Sequence, residues 1–271
     1  MPVPDILILD SVTRFGPEAR GAIAIAASHG GVYAAHVALQ AGVVGLVLND
    51  AGVGLARAGI GGLAYCDTWR IPCATVDYRS ARIGDGSDCA ARGVVSHLND
   101  AAARLGICVG MAALEAAQRM RATDSAPATP AALPEESRQV VLLPGARRPL
   151  VMADSAGLVG PADADAVVIT GSHGGLLGGR PETAIKADVF AAFYNDAGIG
   201  MDDAGVSRLP ALDARGIAGG TVAANSARIG DARSTFETGV LSRVNGVAAA
   251  RGACEGMRAR DFAELMCLAP R

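Results

Sequence analysis

Short, continuous apolar runs recur along this chain, and each ends in a cluster of polar residues and glycine. DILILDS, GAIAIAA, VVGLVL and CATVDYR are short and apolar at successive positions, which predicts strands buried on both faces. Between them VYAAHVALQAG carries apolar residues at helical spacing, and the Gly-rich AGIGGLAYCDTWR leads as a helix into the last of these strands. Strands covered on both faces and joined by helices run parallel, so the pattern predicts an α/β fold with a doubly wound, Rossmann-like sheet.

The pattern then repeats. ILDSVTRFGPEARGAIAIAASHGG, from Ile8, matches MADSAGLVGPADADAVVITGSHGG, from Met152. Ser28-His29-Gly30-Gly31 pairs with Ser172-His173-Gly174-Gly175, Asn49-Asp50-Ala51-Gly52 with Asn195-Asp196-Ala197-Gly198, and Ser80-Ala81-Arg82-Ile83-Gly84-Asp85 with Ser226-Ala227-Arg228-Ile229-Gly230-Asp231. Hydrophobic patterning alone does not reproduce polar strings at an offset that changes only once between SHGG and NDAG. The reading is gene duplication and fusion: a first α/β repeat over residues 1–122, a Pro/Ala-rich linker over 123–140, and a second repeat over 141–271, forming a pseudo-twofold protein.

Right-handed crossovers place the carboxyl ends of parallel strands at one edge of the sheet, where SHGG, NDAG and SARIGD would meet. His29 and His173 are the histidines present in both repeats and are the expected acid/base groups. Gly30, Gly31, Gly174 and Gly175 are expected to bring backbone N–H groups to a ligand beside a helix start, with Ser28 and Ser172 adjoining. Asp50 and Asp196 are candidate catalytic carboxylates beside Asn49 and Asn195, although an Asx turn explains them about as well. Arg82 and Arg228 carry the fork that grips a carboxylate or phosphate. Ser80 and Ser226 would donate to the same anion, and Asp85 and Asp231 would cap the next helix or pair with the arginine. Asp10-Ser11 and Asp154-Ser155 end the first strands and are further candidates. Ser96/Asn99 and Ser242/Asn245 read as one face of a helix, His36 and His97 as structural, and Cys108 and Cys254 as small buried residues.

Composition narrows the classes. Hydrophobic residues make up 51% and aromatics only 4%, so the core is expected to be built from Ala, Val, Ile and Leu. A net charge of −3 without a basic stripe argues against nucleic acid. The apolar runs break before the roughly 18 residues of a membrane span, and the reading is a soluble cytoplasmic protein. The six cysteines form no CxxC pair and are expected to be reduced thiols. Lys186 is the only lysine, so no P-loop exists and no Schiff-base mechanism repeats in both halves. No dinucleotide fingerprint follows the first strand. The strand-SHG order loosely resembles caspase-type cysteine peptidases, but Gly52 and Gly198 stand where that family has its cysteine.

The expected function is therefore an enzyme for a small anionic, carboxylate-bearing metabolite, with hydrolysis of an amide or related C–N bond first and lyase or isomerase chemistry close behind. A non-catalytic anion-binding module is the rival. No cofactor is expected; a divalent metal held by His and Asp is an alternative that would require the repeats to face each other. So apolar a chain is compatible with homo-oligomers.

Overall fold

The computed structural model describes residues 4–130 and 138–270. In the amino-terminal half, β1 (Ile6–Leu9), β2 (Ile23–His29), β3 (Gly45–Asn49), β4 (Cys73–Val76) and β5 (Val95–Leu98) form a five-stranded sheet, with helices α1 (Val32–Gln40), α2 (Gly62–Thr68), α3 (Gly86–Arg92), α4 (Asp100–Arg104) and α5 (Ala113–Met120). The carboxy-terminal half forms a six-stranded sheet from β6 (Arg138–Val141), β7 (Leu150–Ala153), β8 (Val167–His173), β9 (Ala191–Asn195), β10 (Ala218–Val222) and β11 (Leu241–Val244). Its helices are α6 (Arg208–Asp213), α7 (Ala232–Thr238), α8 (Gly246–Ala250) and α9 (Ala259–Leu268).

Both strand faces are buried, as the continuous apolar runs require. Ile23, Ile25 and Ala27 of β2 pack with Cys89 of α3 and with Ala116 and Met120 of α5. Ala24 and Ala26, on the opposite face, pack with Ala35 and Leu39 of α1 and Cys66 of α2. With so many alanines at these contacts, helices sit close on the sheet, and the core is aliphatic in the first half. Phe193 and Phe262 add one aromatic contact, centroids 4.6 Å apart, in the second.

The strands are mixed α/β and mostly parallel, but their order differs from the doubly wound expectation. The first sheet runs β1-β2-β3-β4-β5 and the second β11-β10-β9-β8-β7-β6, so neither reverses direction. A doubly wound sheet binds its ligand at the reversal point. These sheets have none, and any site must be built at a strand edge by other means.

Three local expectations also change. Ser96 and Ser242 lie on strands, not helices: β5 pairs antiparallel with β4, and β11 with β10. A four-residue run such as VSHL is too short for its period to declare itself. Asn99 instead caps α4 through Ala102 N–H and receives Cys73 N–H at 2.9 Å, and Asn245 does the same for α8 and Gly219. Residues 131–137 of the expected linker lie outside the described residues, while residues 138–140 belong to β6, antiparallel to β7. Finally, the helix after SHGG exists only in the first half. LLGGRPETAIK places Gly178, Gly179 and Pro181 where α1 would form, and the chain makes 3-10 turns at Leu177–Gly179 and Pro181–Thr183 instead.

Candidate functional site

The carboxyl edges of the two sheets face each other, and each half completes the other. Leu55 N–H donates to Ala224 O at 2.8 Å and Met201 N–H to Tyr78 O at 2.9 Å, matching bonds that cross in opposite directions. Between them Ala51, Ile83, Ala197, Ala204 and Ile229 form a small apolar cluster drawn from both halves.

The NDAG loops make this junction. Ala51, Gly52, Val53 and Gly54 all have positive φ, as do Ala197, Gly198, Ile199 and Gly200. Alanine and β-branched residues adopt that region only under compulsion. Asp50 Oδ1 accepts Gly52 N–H at 3.1 Å and Tyr78 N–H at 3.0 Å, and Asp196 Oδ1 accepts Gly198 N–H and Ala224 N–H at 2.8 and 2.9 Å. Asn49 and Asn195 close the first turn by accepting from Ala51 and Ala197, each at 2.9 Å. Burial raises the Asp50 carboxyl above its ordinary range, against the pull of its hydrogen bonds. These carboxylates shape the loops and do not line the cleft that holds the histidines.

That cleft, of about 650 Å³, is lined by Ser11, Ser28, His29 and Tyr33 from the first half and by Asp154, Ser155, Ser172, His173, Arg228 and Asp231 from the second. An adjoining compartment of about 620 Å³ shares Ser11, Tyr33, Ser155, Ser172 and His173, and adds Arg14, Glu182 and Lys186. His29 is drawn from β2 and His173 from β8, so the sequence-distant SHGG motifs do converge on one space.

The glycine amides of SHGG bond within the protein, the second of each pair to the histidine and the first to the neighbouring strand. Gly31 N–H donates to His29 Nδ1 and Gly175 N–H to His173 Nδ1, both at 3.2 Å. Gly30 N–H goes to Asn49 O at 2.7 Å and Gly174 N–H to Asn195 O at 2.8 Å. In a neutral ring that accepts at Nδ1, the proton sits on Nε2. Both rings are held neutral: the surrounding protein removes water and lowers His29 to about 4. His173 falls well below its ordinary value through burial, with Arg208 and His29 adding to the effect. Two neutral imidazoles with protonated Nε2 are hydrogen-bond donors suited to a carbonyl oxygen gaining charge.

Ser28 Oγ accepts Val12 N–H at 3.0 Å and Ser172 Oγ accepts Ala156 N–H at 2.9 Å, which holds the first loop against the SHGG strand in each half. Ser80 and Ser226 each bridge a turn carbonyl and the N–H of Val94 or Val240. Asp85 and Asp231 cap α3 and α7. Asp10 and Asp154 hold the same helix starts through Gly86 N–H and Ala232 N–H. Of the SARIGD residues, only Arg228, Ile229, Gly230 and Asp231 reach the cleft.

α1 begins at the cleft without a capping side chain, and its first residues Val32, Tyr33 and Ala34 line it, so the positive end of the helix dipole favours an anion there. The sequence did not single out Arg57 or Tyr33. Arg57 could have been noticed, because the matching position holds the opposite charge, Asp203. Cys108 and Cys254 are exposed in turns rather than buried, while His36 is buried and bonded to the Tyr65 hydroxyl at 2.8 Å. Among the described residues no three His, Cys, Asp or Glu side chains gather as a metal ion would need, and no helix is long and apolar enough to cross a membrane. No family model, curated protein or solved structure matches this chain.

Proposed function

We propose that this protein is an enzyme for a small, carboxylate-bearing metabolite, acting at a carbonyl carbon, with hydrolysis of an amide C–N bond as its first reaction. The observation that carries this reading is the convergence of His29 and His173, both neutral, on one cleft. In the proposed reaction Nε2–H groups hydrogen-bond the amide oxygen, water adds to the carbon while giving its proton to the Asp154 carboxylate, and the departing nitrogen takes that proton as the C–N bond breaks. Arg228 and the open end of α1 supply positive potential for the carboxylate. We also read the two halves as descendants of one duplicated unit, a reading supported by the matching hydrogen bonds of Asn49 and Asn195, Asn99 and Asn245, and Asp10 and Asp154.

Ammonia release from small primary amides of dicarboxylic acids, and ring opening of their cyclic amides, test the proposal. His29→Gln should lower turnover by about 10²- to 10³-fold, as loss of an oxyanion donor does, while affinity changes little. One observation favours a binding module instead: Asp50, Asp196 and the SHGG amides are all committed to the scaffold. Tight carboxylate binding with no turnover, and equal loss of affinity in His29→Gln, would establish that second reading.

A further inference from the structure

Each SARIGD loop lies against the histidine of the opposite half, which creates two matching centres, and the two are not alike. At the first, a Cβ placed on Gly230 would meet only His29, with Cε1 at 3.6 Å and Nε2 at 4.0 Å. The space above that loop is the cleft. At the second, the same addition to Gly84 would run into Leu176 O, with His173 Cε1 at 3.5 Å behind it. Gly178 N–H donates to Gly84 O at 2.7 Å, and Arg180 reaches Asp10 at 3.7 Å. The segment that replaces α1 therefore covers this loop.

The charges differ in the same sense. Arg82 is met by three carboxylates, Asp85 at 2.9 Å, Asp88 at 3.2 Å and Asp202 at 3.1 Å. Arg92 bridges Asp88 and Asp202, at 2.7 and 3.0 Å. At the matching positions of the other centre stand Ser234, Ala56 and Thr238, none of them charged. Among the described residues Arg228 pairs only with Asp231, at 2.8 Å, and its side chain, 55% exposed, lines the cleft. Arg57 lines the same cleft and takes the place of Asp203.

We infer that the chain holds one anion subsite, beside His29 in the cleft that His173 also lines, where Arg228 and Arg57 take the carboxylate of the ligand, and that the Arg82 and Gly84 loop behind His173 is a closed structural joint. This rests on the reading of the cleft as an anion site. An arginine surrounded by three carboxylates has its charge spent; one facing a single carboxylate can still exchange water for a ligand oxygen. Identical SARIGD strings thus do different work because the residues around them differ.

The test is calorimetric titration of the full chain with malonate, with acetate and succinate beside it. One equivalent should bind per chain, and Arg228→Gln should weaken it at least tenfold. Arg57→Gln should weaken it less, and Arg82→Gln should stay within twofold. Two equivalents per chain, or equal losses in Arg82→Gln and Arg228→Gln, would overturn the inference while leaving the anion site standing. No binding of any of the three acids would overturn the anion site itself. Should Arg82→Gln not fold, phenylglyoxal labelling of the wild type decides the matter: malonate should protect Arg228 and Arg57 but not Arg82, and equal protection of Arg82 would refute the single centre.

Discussion

His29 is a histidine whose chemistry is set by what surrounds it. With its pKa lowered to about 4, the folded ring stays neutral while an unfolded one, near 6.5, takes a proton. The unfolded chain then binds more protons between those values. Stability is whole above about pH 6.5 and is lost as pH falls toward 4. His173, lowered in the same direction, adds to the slope. Urea denaturation at several pH values should show His29→Gln flattening this loss relative to wild type; identical slopes would mean that the ring is not held neutral. Turnover should show no limb near pH 6.5 from these histidines, and the acid limb should lie near pH 4.

At the scale of elements, helix ends offer an internal comparison. After α2, Ile71 N–H bonds to Cys66 O at 3.1 Å and Arg70 N–H to Asp67 O at 3.0 Å, a Schellman closure with Arg70 at φ 56°. The matching closure after α6 has Gly216 at φ 69°, which costs no Cβ strain. Arg70→Gly should therefore stabilise the protein by about 0.5–1 kcal/mol, read as a rise in the urea midpoint at unchanged slope. The elements were legible where runs were long and alternated with clear turns: β2, α1 and β3 follow from GAIAIAA, VYAAHVALQAG and VVGLVL. β5 was not, because four residues carry no distinguishable period. Nor was the loss of the second-half helix recognised, although Gly178, Gly179 and Pro181 are its plain cause.

For the molecule as a whole, the polar motifs were readable because buried strands must end in groups that satisfy the backbone. Which half would lend its loop to which histidine was not, since that depends on how two sheets meet and no local pattern encodes it. The meeting point makes its own prediction. A methyl group on Gly198, at φ 79°, would lie 2.7 Å from the Tyr78 ring and 3.2 Å from Gly52 Cα. Gly198→Ala should cost about 2–4 kcal/mol by combining backbone strain with overpacking. The halves should also melt in one transition; two separated transitions would show that the junction contributes little to their cooperativity.

Lys186 gives the adjoining compartment an unusual chemical handle. Apart from the chain's α-amine, it is the only primary amine in this sequence, and it lines the compartment that adjoins the histidine cleft. An amine-selective fluorophore carried on Lys186 becomes a reporter in the compartment beside the site, without a single engineered residue. Its emission would register ligand entry directly, and a reagent excluded by a bound acid would identify that acid by competition alone.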